Sequence, residues 1–169
     1  MDGNNDDMVT KPKTKFAEWA TNVSGSMVLD EDGLPFDGHK PYFYSMYKGL
    51  QRFIEAQDKD DRYSKALKSV TDGEGIGNWV YFIFPQRVED ESEMSKFYRI
   101  ASRDEAQEYI EHPILGKRLV EICEAILNNE KSVYEIFGND AIKVRSCVLL
   151  FESVSDIPVF KQLKSKYRW

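Results

Sequence analysis

From Tyr42 onward the chain alternates between runs with apolar residues at helical spacing and short polar or glycine-rich breaks. Met46, Leu50, Phe53 and Ile54 recur every three or four positions, which predicts an amphipathic helix over MYKGLQRFIEAQ ending near Gln57. Asp60 or Asp61 is placed to cap a second helix striped by Tyr63, Ala66, Leu67 and Val70, and the turn DGEGIG (Asp72–Gly77) ends it. Ser102 and Glu105 have capping-box spacing, in which the hydroxyl accepts the N3 amide and the glutamate returns to the cap amide. The helix they open buries Ala106, Tyr109 and Ile110 and breaks at His112-Pro113, because the residue before a proline is driven out of helical geometry. Pro113 suits the start of the next helix, which places Leu115, Leu119, Ile122, Cys123 and Ile126 on one face. Ser132 and Glu135 form a second box closed by Gly138, and Asp156 with Pro158 opens a last helix striped by Val159, Phe160, Leu163 and Tyr167. Two segments, Trp79–Pro85 and Ile142–Phe151, are apolar enough for either a strand or a buried helix on pattern alone.

Residues 1–40 lack any such period, which predicts a polar, disordered leader ahead of a globular domain over 41–169, with Lys15–Asn22 as a short local helix. The carboxylates of Asp30, Asp32 and Asp37 superficially resemble a calcium loop, but Pro35 interrupts them and the regular spacing and closing glutamate are missing, so no metal site is expected. A chain of 169 residues with 41% hydrophobic and 13% aromatic content suits one domain with a sizeable core. A net charge of -6 argues against a protein that coats nucleic acid, which needs clustered cations. No apolar run approaches the roughly 20 residues of a membrane span. The acidic start lacks the basic and apolar regions of an export signal, so a cytoplasmic or nuclear protein is expected. Cys123 and Cys147 sit in apolar surroundings and read as buried, reduced thiols.

Four pieces, LQRFIEAQ (Leu50–Gln57), NWVYFIFPQ (Asn78–Gln86), EAQEYIEHPILGKRL (Glu105–Leu119) and IFGNDAIKVRSCVLLF (Ile136–Phe151), occur in this order. Together they resemble the uncharacterised family catalogued as domain of unknown function 1810, over about Leu50 to Tyr167. The resemblance implies an all-α fold, a compact multihelical single domain, and so implies helices at both ambiguous segments. It brings no established activity and no cofactor. A calpastatin-like label carried by some members does not suit an aromatic, compact chain. Where the family commonly has a histidine before the motif tryptophan, this chain has Asn78, and Cys147 stands at a usual serine. The family's further C-terminal segment is not matched after Trp169. If that histidine moves a proton in the family, this member lacks the group.

Polar residues embedded in these apolar motifs are the candidate site. Glu55, Gln57, Gln86, Tyr98, Lys143, Arg145 and Ser146 interrupt segments that otherwise form core, and ionisable groups are seldom buried unless paired. One reading is a structural network, with Glu55 or Asp140 pairing Arg145. The other is a pocket walled by Trp79, Tyr81 and Phe84, where Lys143 and Arg145 hold a small anionic ligand resembling a nucleotide or ADP-ribose. In that reading hydrolysis stays open, with Glu55 as a general base raised by burial and His112 as a second candidate. The competing function is a non-catalytic interaction module whose leader or acidic surface meets a protein partner. DGEGIG lacks both the P-loop and dinucleotide spacings and reads as a turn.

Overall fold

The computed structural model describes residues 31–32, 34, 49–87 and 90–169. The expected leader, the short helix at Lys15–Asn22, Met46 and most of the Asp30–Gly38 loop lie outside them. The first described helix, α1 (Gln51–Asp58), turns through a 3-10 segment at Lys59–Asp61 into α2 (Arg62–Thr71). Asp60 and Asp61 do not cap α2 through their side chains as the sequence suggested. Both instead take the left-handed conformation, at φ 51° and 55°, that lets the chain fold back so tightly.

The aromatic run is helical only at its start. A 3-10 turn at Gly77–Trp79 feeds α3 (Val80–Ile83), and Phe84, which precedes Pro85, leaves helical geometry at φ -121° and ψ 74°. Gln86 is held at the end of the run by its carbonyl, which accepts from the Ile100 amide at 2.9 Å. Next comes α4 (Glu93–Tyr98), capped by Ser92, whose Oγ accepts from the Ser95 amide. In α5 (Arg103–Glu111) the Ser102 hydroxyl accepts from the Glu105 amide as expected. The Glu105 carboxylate, however, accepts from the Ala101 amide at 2.7 Å and turns inward to Arg52.

His112 breaks the chain at ψ 131°, and α6 (Leu115–Leu127) begins two residues beyond Pro113. The imidazole explains the delay: its Nδ1 accepts from the Ile114 and Leu115 amides at 3.1 and 3.2 Å. The Ser132–Glu135 box is complete at the head of α7 (Val133–Phe137), which ends at Gly138 with φ 56°. The second ambiguous segment lies inside one helix, α8 (Ala141–Val154). The last helix, α9 (Pro158–Tyr167), carries Pro158 at its first turn after Ile157; Asp156 does not cap it.

The described residues thus form an all-α, compact single domain. α6 sits centrally against α2, α5 and α9, while α8 packs on α5, α7 and α9 and touches α3, and α1 spans α2 and α3. A chain of ring contacts runs through the middle: Tyr98 to Phe53 at 5.6 Å, Phe53 to Tyr109 at 5.1 Å, Tyr109 to Phe151 at 5.3 Å and Phe151 to Phe160 at 6.1 Å. Each such ring removes apolar surface worth about 1.5–3 kcal/mol when fully buried. The α5–α6 corner closes only because residue 116 is glycine. A Cβ there would run into the Ile110 carbonyl oxygen, and the Gly116 amide donates to the His112 carbonyl at 2.9 Å.

Candidate functional site

Two polar networks cross the core and satisfy themselves. Arg52, 2% exposed, donates to Glu105 at 3.0 Å and to the carbonyls of Gly49, Phe97 and Arg99. Gln57 donates through Nε2 to the Phe82 carbonyl and the Tyr109 hydroxyl, and its Oε1 accepts from Arg118, which also pairs with Asp58 at 2.9 Å. These groups tie α1, α3, α5 and α6 together.

A different group lines a recess of about 210 Å³: Tyr81, Gln86, Asp90, Ser95, Lys143, Ser146 and Ile142. The helix α8 brings Ile142, Lys143 and Ser146 to the recess, since Ser146 follows Lys143 by three positions and Ile142 by four, and residues at those spacings are neighbours on a helix face. Gln86 enters from the extended end of the aromatic run. It is 8% exposed, and its Nε2 is closed off from solvent with no hydrogen-bond partner. A buried amide left this way costs about 1–3 kcal/mol. Tyr81 donates to Asp90 Oδ2 at 2.7 Å, and Asp90 is held by the Ser92 amide on Oδ1 while its own amide donates to Ser95 Oγ at 2.8 Å.

Electrostatics keep the group in fixed protonation states. Burial works against the Lys143 ammonium, but its 3.0 Å bond to Asp140 and the fields of Tyr81 and Asp90 outweigh it and hold it above the ordinary lysine value. Burial likewise opposes the Asp90 carboxylate, and the bonds from Ser92 and Tyr81 overcome it, so Asp90 lies below the ordinary aspartate range. Tyr81 is raised, first by burial and then by its bond to Asp90. The Lys143 ammonium also lies 5.5 Å from the Tyr81 ring centroid. Tyr81 also lines a second recess of about 300 Å³, together with Asp32, Leu34, Asn78, Ser92, Glu93 and Met94.

Of the residues nominated from the sequence, the fold brings Tyr81, Gln86, Lys143 and Ser146 together. The others stand elsewhere. Arg145 is exposed on α8 and does not line the recess. It pairs with neither Asp140, which takes Lys143, nor Glu55, which accepts from Gln51 at 2.8 Å on the outer side of α1. Trp79 is half-buried beside Arg62, Tyr98 is a core ring, Gln57 belongs to the internal network and His112 caps α6. Asn78 lines the second recess. Sequence reasoning passed over Asp90, Ser95, Arg52 and Arg62. For the two arginines a signal existed: Arg52 precedes Ala56 by four residues, and Arg62 stands four and eight before Ala66 and Val70, all buried on one stripe.

Burial pushes both thiols, Cys123 and Cys147, above the ordinary value, which leaves them protonated and poor nucleophiles. Among the described residues no cluster of His, Cys, Asp or Glu is arranged to hold a metal ion, and no helix is long and apolar enough to cross a membrane.

Comparison with curated proteins finds no match to this chain. Among solved structures, the chain is similar to the crystal structure of the conserved hypothetical protein Rv1873 from Mycobacterium tuberculosis. The two share 32% sequence identity at a TM-score of 0.65, over 76% of this chain and 89% of that one. The family described as protein of unknown function (DUF1810) matches residues 47–168, from just before α1 to the end of α9. With four motifs in order and a match over this length, the chain belongs to the DUF1810 family.

Proposed function

We propose that this domain binds a small anionic ligand, nucleotide-like or ADP-ribose-like in character, with its anionic group in the recess between Gln86, Lys143 and Ser146. The unpartnered, buried amide of Gln86 beside a protonated lysine carries this reading. A site that keeps an amide donor unmet in the free protein and places an ammonium next to it suits a phosphoryl or carboxylate oxygen. Asp140 does not block such a ligand. Its pair with Lys143 is partly exposed on both sides, at 23% and 35%, and pairs of that kind contribute about 0–1 kcal/mol.

Size supports a ligand that continues past Tyr81. The recess of about 210 Å³ accommodates the anionic group, and the neighbouring one of about 300 Å³ offers Asn78 and carboxylates suited to hydroxyl groups. Hydrolysis forms no part of the proposal, because neither Glu55 nor His112 lines either recess. The ligand is taken to be a cytosolic metabolite, in keeping with two free thiols.

The test is calorimetric titration with AMP and ADP-ribose. Gln86→Leu and Lys143→Met should each weaken binding at least tenfold, while Arg145→Ala leaves it unchanged. Absence of heat with either compound, or equal affinity in all variants, overturns the proposal. A second reading, a non-catalytic interaction module, draws on Ile142, which is 63% exposed at the mouth of the recess. It gains if neither compound binds and Ile142→Lys abolishes association with a protein partner.

A further inference from the structure

Arg62, the first residue of α2, is 5% exposed. Its guanidinium carbon lies over two rings, 5.6 Å from the Trp79 centroid and 6.0 Å from that of Phe82. Its hydrogen-bonding edge is less well served. Nη2 donates to the Glu31 backbone carbonyl at 3.1 Å, and Nη1 is buried without a partner. Among the described residues no carboxylate pairs with it. Arg52, buried to a similar degree, has a carboxylate and several carbonyls around the same group. Burying a guanidinium without a counter-charge is unfavourable, and an apolar side chain would fill the space at lower cost.

A guanidinium is a planar fork matched to two oxygens of one anion. A neutral carbonyl engages a single prong. The chain that supplies it is held nearby: Leu34 is 4% exposed and joins the core, and Asp32 and Leu34 line the recess shared with Asn78 and Tyr81. Glu31, whose carbonyl Arg62 holds, directly precedes Asp32 on the wall of this recess.

We propose that Arg62 is a second oxyanion site, covered in this state by the chain at Glu31, and that a carboxylate or phosphoryl group of a small ligand displaces the Glu31 carbonyl and takes both Nη1 and Nη2. This site stands apart from the Lys143 recess, which Arg62 does not line, so either can fail without the other.

The experiment uses the full chain and phenylglyoxal, which modifies accessible guanidinium groups, with modification at each arginine read by mass spectrometry. Leu34→Ser removes the apolar anchor of the covering chain. It should speed modification of Arg62 at least tenfold while Arg52, sealed in its ion pair, keeps its wild-type rate. Inorganic phosphate or acetate, tested in separate arms, should then return the Arg62 rate toward wild type, and the stronger of the two identifies the preferred oxyanion. An unchanged Arg62 rate, or no protection by either anion, overturns the proposal. If Arg52 also becomes reactive the substitution has loosened the core, and the milder Leu34→Ala variant is tested with the same criteria. In calorimetry the protecting anion should bind the Leu34 variant at least tenfold more tightly than wild type, and Arg62→Met should lose that gain.

Discussion

Glu105 shows how one side chain can be claimed by two structures at once. Its position three residues after Ser102 marks it as a helix-capping glutamate, and one carboxylate oxygen does serve a backbone amide at the helix start. The same carboxylate also neutralises Arg52, which its neighbours have sealed from water. Breaking a buried pair leaves an uncompensated charge, at a cost of about 3–5 kcal/mol. Urea unfolding should therefore show Glu105→Ala to be destabilised by about that amount. Arg145→Ala, on an exposed side chain with no such partner, should stay within about 0.5 kcal/mol of wild type. Arg145, read from the sequence as a cation embedded in core, stands exposed instead, and the misplacement has a physical reason. Apolar residues sit on both the exposed side of α8, as at Ile142, and its buried side, as at Val144 and Val148, so the segment gave no clear phase by which to tell its inner face from its outer. Arg52 and Arg62 lie on helices with clear stripes, and their phase relative to Ala56, Ala66 and Val70 was readable.

At the level of elements, helix positions were legible wherever a stripe coincided with a stop signal, as at DGEGIG, His112-Pro113 and Gly138. Caps were less so, because spacing cannot say whether a side chain will be drawn elsewhere. Ser102, Ser92 and Ser132 cap as oxygen acceptors do; Asp61 and Asp156 do not. At His112 a ring nitrogen does the work of an asparagine oxygen for two amides at the head of α6. His112→Asn should therefore keep most of the stability that His112→Ala loses, about 1 kcal/mol by analogy with other N-cap losses. Equal melting temperatures for the two variants would mean that the imidazole contributes nothing as a cap. The aromatic run was the hardest element to read. At four residues, α3 is too short for a period, and only packing between α1, α4 and α8 determines it.

Across the whole molecule, the core carries several protonated acids that water cannot reach. Burial raises Cys123, Cys147, Tyr63 and Tyr109, and at Tyr63 a 2.6 Å contact with the Glu121 carboxylate adds to the effect. The sign follows from proton binding. Below pH about 9 native and unfolded chains both hold these protons, and no difference arises. Above the ordinary thiol and phenol values, 9.0 and 10.0, the unfolded chain releases protons that the native state retains, so stability falls as pH rises. Each retained proton steepens the decline by about 1.4 kcal/mol per pH unit. Urea midpoints measured from pH 8 to 11 should be level at first and then drop, and a level profile throughout would contradict the burial of these groups. Composition made a sizeable core legible in advance, but which phenols it would seal depended on long-range packing that no local pattern encodes. The glycine at the α5–α6 corner has a further consequence, for heredity. Every amino acid one nucleotide change away from a glycine codon carries a Cβ, and any Cβ at position 116 meets the Ile110 carbonyl. No single coding step leads out of that corner with its geometry intact, so descendants of this gene can vary the helices on either side far more freely than the joint between them.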